Sequence, residues 1–203
     1  MYNLILVDTE TTGLLPCDMV ELSKLSIFLK DKTDFSIKNK SNLLDSLLQL
    51  EIETERFRPN KLLNIEATKV HGLTLKDLVD CPNTSSFRWG IPKANDFIVA
   101  HNFRFDYNVI QNSDKLFIIA RNRRIDTLGL ARTIWKTPKV PNHKLDHLVR
   151  HFYPEVPTNE KLFRVDGKFS KSKRDIIYLY LLLVKILEEL PNVKSWEEVA
   201  MRS

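Results

Sequence analysis

The sequence predicts a mixed α/β protein with one sheet flanked by helices. Three observations predict it. Apolar or alternating runs of strand length crowd the first part of the 203 residues, helical spacing alternates with such runs later, and a long apolar helix pattern closes the chain before Pro191. No internal repeat interrupts this order, and a chain of ~200 residues buries one sizeable core without needing a second, so a single domain over residues 1–203 is expected.

The elements follow in order. Leu4 to Val7 has the composition of a buried strand. A second strand spans Val20 to Leu29, with alternation too ragged to fix its inward face, and Lys30 to Ser41, rich in Lys, Asp, Ser and Asn, reads as a loop. Leu43, Leu44, Leu47, Leu48 and Leu50 then recur at helical spacing, and Glu51 to Phe57 returns to alternation as a third strand ending before Pro59. Thr74 or Asp77 caps a short helix ahead of Pro82. Phe97 to Ala100 is a buried strand leading into His101 and Asn102, Phe105 to Ile110 opens a helix, and Leu116 to Ala120 reads as another strand. His143 to Phe152 is helical, and a last helix runs near Lys173 to Leu190.

Hydrophobic residues at 43% and charged residues at 28% are ordinary for a soluble globular protein. With 31 Lys+Arg against 26 Asp+Glu the net charge is +5, and the exterior is more positive still if several acids gather in one cleft. That balance favours a polyanionic partner, nucleic acid first. Cys17 and Cys81 stand in no Cys-x-x-Cys pair and are expected as reduced thiols. The N-terminus has no basic secretion segment, and the most apolar stretch, Ile176 to Val184, is too short for a bilayer and runs into Lys185, Glu188 and Glu189. A soluble, intracellular protein of the cytoplasm, without membrane attachment, is expected.

The first strand ends in two acids one residue apart, Asp8 and Glu10. Side chains on a strand repeat every two residues, so both leave one face and share one small space. Ionised together they need compensating positive charge, and paired hard oxygen ligands suit Mg2+ or Mn2+; taken alone, the motif reads as a strand end with two solvated acids. The buried strand Phe97 to Ala100 repeats the logic, delivering polar residues to a sheet edge before Asp106 opens a helix. Asp106 is placed to be a third ligand, and Asp175 stands likewise at the start of the last helix, although an acid in a first helical turn also has a simpler role against the helix dipole.

Taken in order, the motifs are Asp8-Thr-Glu10-Thr-Thr-Gly13, Val70-His71-Gly72-Leu73-Thr74, Ala100-His101-Asn102-x-x-Phe105-Asp106, Ile125-Asp126-Thr127-Leu128, His143-x-Leu145-x-x-Leu148 and Asp175. This series resembles the DEDD family of 3′–5′ exonucleases, most closely the branch that contains the proofreading subunit of bacterial replicative polymerase, from about residue 3 to 190. The resemblance implies a ribonuclease-H-like fold and two divalent cations, Mg2+ or Mn2+, held by Asp8, Glu10, Asp106 and Asp175. It implies that Asp8 bridges the ions, that Glu10 and Asp175 hold the one nearer the attacking water, and that Asp106 acts on the other through water. Two such ions, ~3.5–4 Å apart, lower the pKa of the water and stabilise the leaving oxygen. By the same resemblance Gly13 and Leu14 sit against the last sugar and base, Val70 and His71 lie over that nucleotide, Asn102 and Phe105 line its pocket, and residues 30–49 are an insertion.

The pattern departs from the family at one point. The branch with a histidine signature carries its general base five residues before the last acid, where this chain has Ser170, and the other branch uses a tyrosine four before it, where this chain has Lys171. General-base assistance is worth ~10²–10⁴ in rate. Three readings follow: a slow exonuclease driven by its metals with Ser170 or Lys171 orienting the water, a substitution that leaves metal and nucleic-acid binding intact, or a base supplied from a loop between Pro157 and Lys173. Replacing Ser170 with His is expected to raise activity. The function expected is a metal-dependent exonuclease that shortens single-stranded DNA or RNA from the 3′ end and releases nucleoside 5′-monophosphates, working alone or within a polymerase or nuclease complex. The alternative is a nucleic-acid-binding module of the same fold without turnover. His143, His147 and His151 lie four apart and form an outward stripe on their helix, while the basic runs Arg121 to Arg124 and Lys168 to Arg174 are candidates for phosphate contacts.

Overall fold

The structure, a computed structural model, describes residues 1–39, 47, 49–136, 138–156 and 160–203. Five strands make one mixed sheet: β1 (Tyr2–Thr11), β2 (Met19–Leu29), β3 (Ile52–Arg56), β4 (Asp96–Ala100) and β5 (Arg124–Asp126), in the order β3-β2-β1-β4-β5. β1 pairs antiparallel with β2 and parallel with β4; β2–β3 is antiparallel and β4–β5 parallel. Period-two alternation along β1 feeds two cores. Leu4 and Leu6 face one layer, where the long helix α6 (Lys171–Glu188) packs with α4 (Thr127–Ile134), α5 (Leu145–Phe152) and α7 (Trp196–Arg202). Ile5 and Val7 face the other, where α3 (Phe103–Ser113) packs through Phe103, Val109 and Ile110. Two short helices, α1 (Ile65–His71) and α2 (Leu75–Leu78), lie in the crossover between β3 and β4.

Several boundaries differ from the sequence expectation for identifiable reasons. Leu116–Ala120 is no strand: exposure alternates as expected, with Phe117 and Ile119 buried and Leu116 and Ile118 exposed. The place beside β4 is taken by Arg124–Asp126, and the Ile119 carbonyl accepts from the Arg124 guanidinium at 2.9 and 2.5 Å. The described part of the loop expected over Lys30–Ser41, residues 30–39, contains a 3₁₀ turn at Ser36–Asn39 and is pinned by Trp196, whose amide and indole N–H donate to the carbonyls of Lys32 and Asp34 at 2.9 Å each. The helix expected over Leu43–Leu50 lies largely outside the described residues. Residues 164–169 form a hairpin, β6 (Arg164–Val165) and β7 (Lys168–Phe169), closed by Asp166-Gly167 with φ of 49° and 78°. Both turn residues at positive φ define a type I′ turn, which Asp-Gly favours. Among the described residues, no helix is long and apolar enough to cross a membrane.

Candidate active site

The site forms where β1 ends. Asp8 lies opposite Ser23 and Glu10 opposite Glu21, so these side chains share the face on which α6 rests. Asp175, one turn into α6, meets them: one oxygen each of Asp8, Glu10 and Asp175 lie within 4.8 Å of one another. Asp106 arrives from the other layer. Thr9 points to the α3 face, and its amide and hydroxyl donate to Asp106 Oδ1 at 2.9 and 2.8 Å. Asp106 stands outside the three-acid cluster but on the wall of the same cavity, of about 590 Å³.

Burial raises the cost of ionising these acids. Burial and then the charge of Asp175 push Asp8 well above the usual carboxylate range. Burial raises Glu10 to about 7 against the pull of Lys171, and raises Asp106 to about 7 against the two hydrogen bonds from Thr9. The positive charge present is protein's own. Lys171 Nζ donates to Glu10 Oε1 at 2.8 Å and to Asp175 Oδ2 at 2.7 Å, and the Arg174 fork takes Asp175 Oδ1 at 2.9 and 2.8 Å. Burial would lower the Lys171 ammonium, and Asp175, Asp8 and Glu10 together hold it above its ordinary value. Asp8 Oδ2 is buried without a hydrogen-bond partner. A hard, carboxylate-only donor set with one orphaned oxygen fits a divalent cation such as Mg2+ or Mn2+.

Of the other residues predicted at the site, Gly13, Leu14, Val70, His71 and Phe105 line the cavity. Leu14 is 89% exposed and Val70 61%, whereas His71 is buried and accepts the Leu73 amide on Nδ1 at 3.0 Å, and burial holds its imidazole below the ordinary pKa. Asn102 does not line it. Its φ of 72° turns the chain into α3, its side chain is exposed, and its amide donates to Asp126 Oδ1 at 3.0 Å. Ser170 also lies elsewhere: it is fully buried as the N-cap of α6, accepting the Lys173 amide at 3.1 Å and donating to Glu21 Oε1 at 2.8 Å. A water-orienting role for its hydroxyl has no geometric support, since both hydrogen-bonding directions are used away from the cavity.

Sequence reasoning left several lining residues without a role, among them His101, Leu145 and Asn64. His101 was visible in its motif, and its Nε2 donates to the His143 carbonyl at 2.8 Å while Nδ1 meets the Thr127 hydroxyl at 3.0 Å. Leu145 and Asn64 complete the rim; Asn64 is also the N-cap of α1, a signal legible in the pair Asn64 and Gly72 that bracket that helix. The outward histidine stripe is reduced to His147 and His151, both exposed on α5; His143 precedes that helix, which begins at Leu145, and meets the Trp135 carbonyl through Nε2 at 2.7 Å. The basic runs are largely committed. Arg123 pairs with Glu197 at 3.2 Å and covers the Phe97 ring at 4.5 Å, Arg124 covers Tyr107 at 4.4 Å, and Lys168 pairs with Asp77.

A mixed five-stranded sheet with four acids at the end of its central strand and facing helices defines the ribonuclease-H-like exonuclease fold, and solved structures share it. The chain superposes on exonuclease X in complex with 5′-overhanging duplex DNA with a TM-score of 0.61 at 18% identity, covering 97% of this chain and 99% of that one. It superposes on a zinc-bound complex of Escherichia coli exonuclease I with single-stranded DNA with a TM-score of 0.60 at 16% identity, covering 95% of this chain and 42% of that one. In sequence it is 27% identical over 207 aligned positions to DNA polymerase III subunit epsilon of Buchnera aphidicola subsp. Baizongia pistaciae, covering 97% of this chain and 79% of the relative. No protein-family model matches. Sequence and fold together support the DEDD, DnaQ-like exonuclease family to which the motifs pointed.

Proposed function

We propose that the protein is a metal-dependent 3′–5′ exonuclease that trims single-stranded DNA ends and releases nucleoside 5′-monophosphates. The convergence of Asp8, Glu10 and Asp175 within 4.8 Å, with Asp106 held across the cavity by Thr9, carries this reading. A bound divalent cation would supply an acidified water and charge stabilisation at the leaving oxygen. The chain's own part is to hold that cation through Asp8, Glu10 and Asp175 and to seat the terminal nucleotide in the cavity. Exposed Leu14 and Val70 present apolar surface to a base, and Phe105 forms part of the same wall. Ser170 and His101 act at one remove, the first by capping the helix that carries Asp175, the second by bracing the loop at His143. The relative that is a polymerase subunit and the neighbours solved with DNA favour DNA as substrate and a polymerase as partner.

A 5′-labelled single strand incubated with Mn2+ tests the reading. It should ladder from its 3′ end, and Asp8→Ala and Asp106→Ala should each abolish the ladder. Retention of the labelled strand without shortening, unchanged in Asp8→Ala, would establish a binding module instead.

A further inference from the structure

Lys171 is a poor neighbour for a fully loaded two-cation site. Its side chain is 21% exposed, and its ammonium sits between Glu10 and Asp175 at 2.8 and 2.7 Å, competing with a cation for two of the three clustered carboxylates. Both Asp175 oxygens already accept from protein cations, because Arg174 takes the second one through two N–H groups. Charge counts the same way. Asp8, Glu10, Asp106 and Asp175 carry four negative charges when ionised, which two divalent cations would balance; Lys171 and Arg174 already return two, leaving the charge of one divalent ion. The orphaned oxygen, Asp8 Oδ2, takes no hydrogen bond from Lys171 or from any other group among the described residues.

We propose that the Lys171 ammonium is a built-in cation that stands in for one of the divalent ions, so that this chain binds a single divalent ion per site. The inference rests on the proposed nuclease reading and deepens it. Lys171 holds Glu10 and Asp175 together across 161 residues of sequence separation on one side and one helical turn on the other. A divalent ion binds beside it, on Asp8 and on the carboxylate lone pairs of Glu10 and Asp175 that Lys171 and Arg174 leave open. An ammonium cannot polarise a water as a divalent ion does, so Lys171 is a positioning residue, organising the carboxylates without activating the nucleophile.

Counting bound Mn2+ on the full chain, by calorimetry and by electron paramagnetic resonance of the free ion in mildly alkaline, chelator-free buffer, tests this directly. The wild-type chain should bind one ion, Lys171→Arg one, and Lys171→Met two, with circular dichroism reporting that each variant is folded. Lys171→Met should also melt lower than wild type in chelator, and Mn2+ should restore it. Two ions in the wild type or in Lys171→Arg overturn the proposal even if Lys171→Met does not fold, and one ion in a folded Lys171→Met overturns it as well. Absence of any Mn2+ binding by the wild type defeats the nuclease reading itself, whereas two ions with active trimming defeats the lysine inference alone.

Discussion

Glu21 binds no cation in the arrangement described, yet two segments of the site depend on it. Fully buried, it accepts Ser170 and Ser172 hydroxyls on Oε1 at 2.8 and 2.7 Å and the Arg56 Nε–H on Oε2 at 2.8 Å. Glu21→Ala strands the Arg56 Nε–H and the Ser170 hydroxyl proton and is expected to cost about 3–5 kcal/mol, as removal of one partner from a buried ion pair does, measured by urea unfolding. Ser170→Ala removes a helix cap worth about 1 kcal/mol and should leave trimming within a few-fold of wild type. Ser170→His, which the family pattern alone suggests as a gain, is expected to unfold more easily and to cleave no faster, because the position is fully buried against Glu21. A rise in rate would show that the histidine reaches the cavity.

At the scale of elements, α6 is the scaffold. From Asp175 to Val184 every residue is buried, and Leu181, Leu182 and Leu183 have no exposure. Leu182→Ala should therefore cost about 2–5 kcal/mol in unfolding free energy and reduce trimming only through loss of folded protein. Such elements were legible. β1, β2, β4 and α6 are long or wholly buried, so composition identified them within a few residues. α1 was not legible from periodicity: Ile65 and Val70 are exposed and only His71 is buried, leaving the caps Asn64 and Gly72 as its sole sequence marks. β5 is three residues long, stabilised by its place beside β4 and not by its own composition. The site shows the same division. The carboxylates were legible because strand periodicity and motif order constrain them, whereas the pairing of Lys171 with Glu10 joins residues that only tertiary contact brings together.

Over the whole molecule, the acids of the site set how stability depends on pH. Glu10 and Asp106 titrate near 7 in the folded chain against ordinary values of 4.5 and 3.8, so between those limits the folded state keeps protons the unfolded state has released. Stability of the metal-free protein is then expected to fall as pH rises from about 4 to about 7, the sign opposite to that of a salt-bridged surface acid. A divalent cation favours the ionised acids, so the rise in melting temperature on adding Mn2+ should grow across the same window, as thermal scans with chelator and with Mn2+ would record; equal slopes in both would contradict this. Thr9 adds a consequence of another kind. It fastens Asp106 from one helical layer to a strand whose other face serves the opposite layer, so the four acids stand around one cavity only when both layers are seated. Ion uptake during refolding should therefore trail the appearance of helix, marking the moment at which the two halves of the molecule close on the sheet.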